Sequence, residues 1–86
     1  MEGQKTNKLI IVTGSNKGIG RATVESLIER NTEFWIILTA RKLSDGELAV
    51  KEIESARPNQ QLKLTSLQLD LLSDDSIDKF IGSVFS

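Results

Sequence analysis

Unbroken apolar runs alternate with amphipathic stretches along the chain. The runs Leu9–Val12 and Phe34–Leu38 are typical of β-strands that are buried on both faces of a sheet. In residues 62–71 leucines alternate with polar residues, with a change of phase at Thr65–Ser66, as suits a strand at the edge of a sheet. The pattern therefore predicts two interior strands followed by one edge strand.

Helical periodicity follows each of the first two runs. The first predicted helix follows the glycines after residue 13 and ends near Asn31. The second begins at residues 44–47, whose Ser-Asp-Gly-Glu spacing is that of a capping box, and it ends before Pro58. Its predicted apolar stripe, interrupted only by Glu52, comprises Leu48, Ala49, Glu52, Ile53 and Ala56.

The last stretch predicts a third helix. Ser73 is placed to cap it, and Asp74 and Asp75 are placed at its positive end. Its apolar residues recur at helical spacing: Ile77, Phe80, Ile81, Val84 and Phe85.

The predicted order of elements is therefore βαβαβα, which makes the chain an α/β protein. Strands joined by helices run parallel, with right-handed crossovers. We expect residues 1–86 to form the N-terminal part of a doubly wound (Rossmann) parallel sheet in the order 3-2-1. In that order the first strand needs a fourth beside it, and no fourth strand is predicted, so the sheet is expected to be incomplete.

Three glycines stand where the first strand gives way to the first helix. Gly14 can leave the strand with backbone angles closed to other residues, and Gly18 has no side chain to keep the backbone away from a diphosphate. Gly20 allows the helix to lie close to the strand. The helix N-terminus then presents free amides to phosphates, although a glycine-rich turn that binds nothing has the same local pattern. A P-loop is excluded, because no Lys-Ser or Lys-Thr pair follows Gly18.

The composition excludes several classes of chemistry. The chain has no histidine, cysteine or tyrosine, so it supplies no imidazole base, no thiolate and no ordinary zinc site. Its 11 basic and 12 acidic residues give no basic excess for nucleic-acid binding. No apolar run approaches the ~18 residues of a membrane span. We expect a cytoplasmic protein with neither nucleic-acid nor membrane partners.

The spacing T-G-x-x-x-G-x-G in residues 13–20 resembles the cofactor signature of the short-chain dehydrogenases/reductases, and the resemblance extends from about Leu9 to Phe85. Together with Leu-Thr-Ala-Arg at residues 38–41, it looks most like the NADPH-dependent carbonyl reductases. The resemblance implies hydride transfer from the cofactor to a small carbonyl substrate. It also implies a catalytic tyrosine that this chain lacks, so we assign no catalytic residue and expect the chain to be inactive alone.

The end of the second strand distinguishes NAD from NADP. An acidic residue there would bind the adenosine ribose and repel a 2′-phosphate, whereas this chain has Ala40 and Arg41. Arg41 and Lys17 are therefore predicted to bind the 2′-phosphate of NADP(H), although each could equally be a solvated surface cation.

The resemblance implies further contacts with the cofactor. Asp70 and the backbone of Leu71 would hold the adenine, unless Asp70 only stabilises a turn. Ser15, Asn16 and Ile19 would contact the ribose and diphosphate.

Two other functions remain open at this point. The chain could act without catalysis, as a nucleotide-binding or dimer-forming fragment. It could also be a flavodoxin-like module, which would show no preference for a 2′-phosphate. The carbonyl substrate and the oligomeric state are not predicted.

Overall fold

A computed structural model describes residues 9–30 and 34–85, and six elements alternate along them. The strands are β1 (Leu9–Val12), β2 (Trp35–Ala40) and β3 (Leu64–Gln68). The helices are α1 (Gly18–Glu29), α2 (Leu43–Ser55) and α3 (Asp74–Phe85). The predicted βαβαβα order is confirmed. The first helix was predicted to end near Asn31, which lies outside the described residues. In the structure α1 ends at Glu29, with Arg30 as its C-cap residue.

The strands form one parallel sheet in the order β1-β2-β3, with β2 in the middle. Ile10 lies opposite Ile36, and Ile36 lies opposite Leu64. This confirms the predicted strand order, and the arrangement is consistent with an incomplete doubly wound sheet. Because the strands are parallel, their carboxyl ends meet at one edge of the sheet.

Each face of the sheet is covered by its own helices. On one face, residues of α1 and α2 pack against β2 and β3 in a core of Val24, Ile36, Leu38, Ala49, Ile53 and Leu64. On the other face, Phe80 of α3 packs against Ile37 and Leu69. Since successive strand side chains point to opposite faces, β2 has to be apolar at nearly every position. This explains its unbroken apolar run.

The two faces also explain the change of phase at Thr65–Ser66. Leu62 and Leu64 pack into the core beneath α1 and α2, whereas Leu67 and Leu69 pack into the core beneath α3. The apolar positions therefore move from one face of the strand to the other.

Helix α2 differs from the prediction in two respects. The helix begins at Leu43 with Lys42 as its N-cap residue, and no side chain caps it, so the capping box at residues 44–47 does not form. The predicted stripe is also rotated, because Leu48 is exposed while Gly46, Ala49 and Ile53 are buried. The reason is tertiary: Gly46 faces β3, where a Cβ atom added to it would lie 3.3 Å from that of Ser66.

The cap predicted for α3 is confirmed. The backbone N–H of Ser76 donates to the Ser73 hydroxyl at 3.2 Å, and Asp74 and Asp75 lie in the first turn. Its predicted apolar stripe is only partly buried, since Ile77, Phe80 and Val84 contact the core while Ile81 and Phe85 are exposed.

None of the helices within residues 9–30 and 34–85 is long and apolar enough to cross a membrane. The longest, α2, has 13 residues.

Two arginines link α1 to α2 and to the segment that follows α2. Arg57 donates to Glu25 at 3.2 Å and to Glu29 at 3.1 Å, and its side chain is only 12% exposed. Arg21 donates to Glu25 at 3.1 Å and to Glu52 at 2.8 Å. The hydrogen bond from Arg57 is the main cause that lowers the pKa of Glu25, and the bond from Arg21 adds to it. The network therefore stabilises the ionised form of Glu25.

This network predicts a pH-dependent loss of stability on substituting Glu25→Gln. Because folding lowers the pKa of Glu25 below its ordinary value of 4.5, its contribution is complete above that pH and disappears as the pH falls through the lower, folded-state value. We expect the variant to lose about 0.2–1 kcal/mol of unfolding free energy at pH 7, the range of exposed ion pairs. Urea denaturation should show that the difference in unfolding free energy between variant and wild type becomes smaller below pH 4.5.

Glu54→Gln is the matched control, because Glu54 has no ion pair with any residue in the described parts of the chain. It should change the unfolding free energy little at either pH. A difference between Glu25→Gln and wild type that stays constant across this pH range would contradict the role of ionised Glu25.

Candidate functional site

A pocket of about 230 Å³ lies where the three strands end. Residues following β1, β2 and β3 all contribute to its walls, and open α/β sheets bind ligands at this edge. The lining residues are Thr13, Gly14, Arg41, Leu69, Asp70, Leu71 and Leu72. The structure thus brings four of the residues singled out in the sequence, Gly14, Arg41, Asp70 and Leu71, to one pocket.

The glycine turn between β1 and α1 requires glycine for two different reasons. Gly14 and Gly18 have φ angles of 55° and 64°, in the left-handed region that other residues rarely adopt. Gly20 instead allows close approach, since a Cβ atom there would lie 2.7 Å from the carbonyl oxygen of Gly14 and 2.8 Å from the Cα of Ser15. The start of α1 is therefore held directly against the end of β1.

The N-terminus of α1 is open to an anion. Lys17 is its N-cap residue and makes no side-chain capping bond, and the first turn contains no acidic residue. A Cβ atom added to Gly18 would meet nothing within 4 Å, so the space beside it is free of described protein atoms. Uncapped amides at a helix N-terminus, together with the helix dipole, favour a phosphate.

Ser15 and Thr39 exchange hydrogen bonds across the ends of β1 and β2, and both residues are 0% exposed. The N–H of Gly14 donates to the Thr39 hydroxyl at 3.0 Å, and the N–H of Ser15 donates to the Thr39 carbonyl at 2.8 Å. In return, the N–H of Thr39 donates to the Ser15 hydroxyl at 3.1 Å, and that hydroxyl donates to the Val12 carbonyl at 2.6 Å. We call this set of bonds the Ser15–Thr39 exchange.

Arg41 is exposed and lines the pocket. Its carbonyl accepts a bond from the Gln68 side chain at 3.0 Å, which ties the end of β2 to the end of β3. No carboxylate within the described residues forms an ion pair with its guanidinium group. Lys17 is also exposed but does not line this pocket. It lies on the adjoining glycine turn.

The remaining predicted contacts lie on the same turn. Asn16 and Gly20 are half-buried there, and Ile19 is 88% exposed. Contacts of Asn16, Lys17, Gly18, Ile19 and Gly20 with a ligand stay predictions.

Asp70 is held on a short loop by its neighbours. Its N–H donates to the buried hydroxyl of Ser76 at 2.8 Å, and its carbonyl accepts from the N–H of Ser73 at 3.0 Å. One carboxylate oxygen accepts the N–H of Leu72 at 3.0 Å. Asp70 therefore stabilises a turn and lines the pocket at once. The Leu71 backbone makes no hydrogen bond with any residue that the structure describes.

Five residues of the site were not predicted from the sequence. Thr13, Leu69 and Leu72 line the pocket, while Thr39 and Ser76 form hydrogen bonds with the backbone of its lining residues. Thr39 carried a detectable signal, because a threonine directly after an apolar strand run needs a hydrogen-bond partner once it is buried. Ser76 carried none that separates it from an ordinary first-turn serine.

The comparison with protein families decides the identity of this fold. A model described as short chain dehydrogenase matches residues 8–86. The chain belongs to the short-chain dehydrogenase family. Short-chain dehydrogenases are oxidoreductases that use a nicotinamide cofactor.

Individual relatives agree with this assignment. The chain is 38% identical over 77 residues to retinol dehydrogenase 11 of Homo sapiens, a match that covers 90% of this chain and 23% of that protein. Its structure resembles menthone neomenthol reductase from Mentha piperita, with a TM-score of 0.73 and 27% identity over 93% of this chain and 28% of that one. It also resembles a metagenomic short-chain oxidoreductase solved in complex with NADP, with a TM-score of 0.68, 28% identity, and 90% and 32% coverage.

The chain therefore spans only 23–32% of these three relatives. The matched residues 8–86 include the glycine turn.

The close approach at Gly20 predicts an inverted effect of a glycine-to-alanine substitution. Within a helix, alanine normally stabilises by about 0.5–1 kcal/mol relative to glycine. At Gly20 the added Cβ would clash with backbone, and we expect Gly20→Ala to lower the unfolding free energy by about 1–3 kcal/mol. Urea denaturation of the variant and of wild type measures this difference in unfolding free energy.

Gly82→Ala is the control, because Gly82 also lies in a helix and a Cβ atom there would meet nothing within 4 Å. It should stabilise. If Gly20→Ala stabilises by as much as Gly82→Ala, the close approach of α1 to the strand end is wrong.

Proposed function

We propose that this chain forms the part of an NADPH-dependent carbonyl reductase that binds the adenosine and diphosphate of the cofactor. One observation carries the proposal. One pocket at the carboxyl edge of the sheet is lined by an arginine that has no ion-pair partner among the described residues and by a carboxylate fixed in a turn, and it is also lined by the start of the glycine turn that leads to an uncapped helix N-terminus. These are the groups that an adenosine carrying both a diphosphate and a 2′-phosphate requires.

The diphosphate would lie at the N-terminus of α1. Because no side chain caps this helix and no acidic residue lies in its first turn, its amides and its dipole are available to an anion. The backbone at Gly18, with open space beside it, allows a phosphate to approach. Residues 16–20 would supply the contacts with the diphosphate.

The 2′-phosphate would lie beside Arg41. At the end of β2 the chain has Ala40 and Arg41 in place of the acidic residue that holds the ribose hydroxyls in NAD-binding proteins. Because no carboxylate in residues 9–30 and 34–85 pairs with Arg41, its donors are available for a phosphate, and such charge-assisted bonds are strong. Lys17, on the adjoining turn, would add a second positive charge.

The adenine would lie against the loop of residues 69–72. Leu69, Leu71 and Leu72 offer apolar surface in the pocket, and the N–H and carbonyl of Leu71 have no hydrogen-bond partner among the described residues. One oxygen of Asp70 holds the turn, so the other oxygen would accept the adenine amino group.

The composition of the chain indicates what it and the cofactor would each contribute to the reaction. When bound, the nicotinamide cofactor supplies a hydride for the carbonyl carbon of the substrate. The chain contributes binding and orientation of the adenosine half, because it contains no tyrosine, histidine or cysteine to transfer a proton. We expect the 86-residue chain to oxidise no NADPH with any carbonyl compound.

The 2′-phosphate site predicts the ligand preference of an Arg41→Asp variant. The probes are adenosine 2′,5′-bisphosphate and AMP, which carry only the half of the cofactor assigned to these residues. Wild type should bind the bisphosphate about tenfold or more tightly than AMP, as expected for charge-assisted bonds. Arg41→Asp should abolish this preference, since it replaces attraction with repulsion. NMR titration of the purified protein measures both dissociation constants.

Lys51→Asp changes the net charge by the same amount on the exposed surface of α2, away from the pocket lining. It should retain the preference. If the ratio of the dissociation constants of AMP and the bisphosphate is the same in Arg41→Asp as in wild type, Arg41 does not bind the 2′-phosphate.

The adenine site predicts a swap of base preference in Asp70→Asn. The asparagine oxygen can still accept the N–H of Leu72, so the turn is kept, but its amide nitrogen then faces the base as a donor. Adenine presents an amino group there, whereas hypoxanthine presents a carbonyl. We expect wild type to bind the adenine form of the bisphosphate more tightly than the hypoxanthine form. Asp70→Asn should bind the adenine form about tenfold more weakly than wild type does, and should bind the hypoxanthine form more tightly than the adenine form.

Asp75→Asn, in the first turn of α3 and outside the pocket lining, is the control for the loss of a charge. If Asp70→Asn weakens both bases equally, Asp70 only stabilises the turn.

A further inference from the structure

We propose that Thr39 and Ser15 are positioning residues that set the distance between the diphosphate-binding turn and Arg41, and so determine how strongly the protein prefers a 2′-phosphate. This inference rests on the proposed function. It assigns to two fully buried side chains a role in ligand selectivity without contact with the ligand.

The register of the sheet shows why these side chains are needed. The β1–β2 pairing ends at Val12 opposite Leu38, so Thr39 lies one position beyond the last pair. There the backbone of β1 turns away at Gly14 with a positive φ angle. The Thr39 hydroxyl and the Ser15 hydroxyl accept the N–H groups that the ladder no longer pairs. Side chains thus continue the pairing of two strand ends after the regular ladder has stopped.

The exchange leaves little of Ser15 for a ligand. Its hydroxyl donates to Val12 and accepts from Thr39, and its N–H donates to the Thr39 carbonyl. The residue is 0% exposed. The N–H of Gly14 is likewise bonded to Thr39, so it is not a free donor for phosphate. The amides that remain for a diphosphate are those of residues 16–20, just before and within the first turn of α1.

The same bonds join the two phosphate-binding elements. Gly18, where α1 begins, is three residues after Ser15, and Arg41 is two residues after Thr39. A ligand that carries both a 5′-phosphate and a 2′-phosphate must contact both elements at once, whereas AMP needs only the first. If the strand ends move apart, binding of the bisphosphate weakens more than binding of AMP, because bidentate recognition depends on the spacing of its two ends.

Thr39→Val tests this directly, because valine has nearly the shape of threonine but no hydroxyl. The variant loses the bond from the Gly14 N–H at 3.0 Å and the bond to the Val12 carbonyl at 3.4 Å. We expect the ratio of the dissociation constants of AMP and adenosine 2′,5′-bisphosphate to fall by about threefold to tenfold, which is the scale of the net free energy of one or two hydrogen bonds. Thr39→Ser keeps the hydroxyl and should keep the ratio. Ser15→Ala should lower it, and it decides the outcome if Thr39→Val does not fold.

Ile53→Val separates positioning from general stability. Ile53 is a core residue, 1% exposed and outside the pocket lining. Its variant should unfold at lower urea concentration and leave the ratio unchanged. Selectivity that falls with stability in every variant, Ile53→Val included, would overturn the inference.

The outcomes also distinguish this inference from the proposed function. If wild type shows no preference for the bisphosphate, the proposed 2′-phosphate site is wrong and the inference fails with it. If wild type and Thr39→Val share the same preference, the 2′-phosphate site stands and only the positioning role is overturned.

Discussion

Where β1 and β2 end, the backbone leaves the sheet while it is still shielded from water, and each polar group there needs a partner. The Ser15–Thr39 exchange supplies those partners from two side chains and the peptide groups beside them. Without it, buried N–H groups would be left unpaired, at a cost of about 1–3 kcal/mol each. These bonds connect the glycine turn, which leads into α1, to the end of β2, which leads to Arg41.

The packing of the sheet leaves the ends of β1 and β2 at an open edge, where a ligand can reach them. Because β2 is buried on both faces, helices are needed on both sides, with α1 and α2 on one face and α3 on the other. The helices cover the faces and leave the carboxyl edge open, so residues following all three strands can form one pocket. The Arg21 and Arg57 network adds a polar connection between α1 and α2 on the outside of the first core.

The groups gathered at this edge are suited to binding a charged nucleotide. They comprise helix amides, an arginine without an ion-pair partner among the described residues, and a carboxylate fixed by a turn. Membership of the short-chain dehydrogenase family gives this arrangement its chemical context. The chain spans 23% of its retinol dehydrogenase relative.

Periodicity and glycine spacing in the sequence determined the order of elements, the parallel sheet, the glycine turn and the Ser73 cap, because each depends on residues close together in the chain. Tertiary structure decided which face of α2 is buried, since Gly46 lies against Ser66 of β3, and the helix begins at Leu43 so that Ser44 lies inside its first turn. It also decided that Ser15 would be buried against Thr39, 24 residues away in sequence. Such contacts follow from strand register and helix placement, which local patterns do not specify.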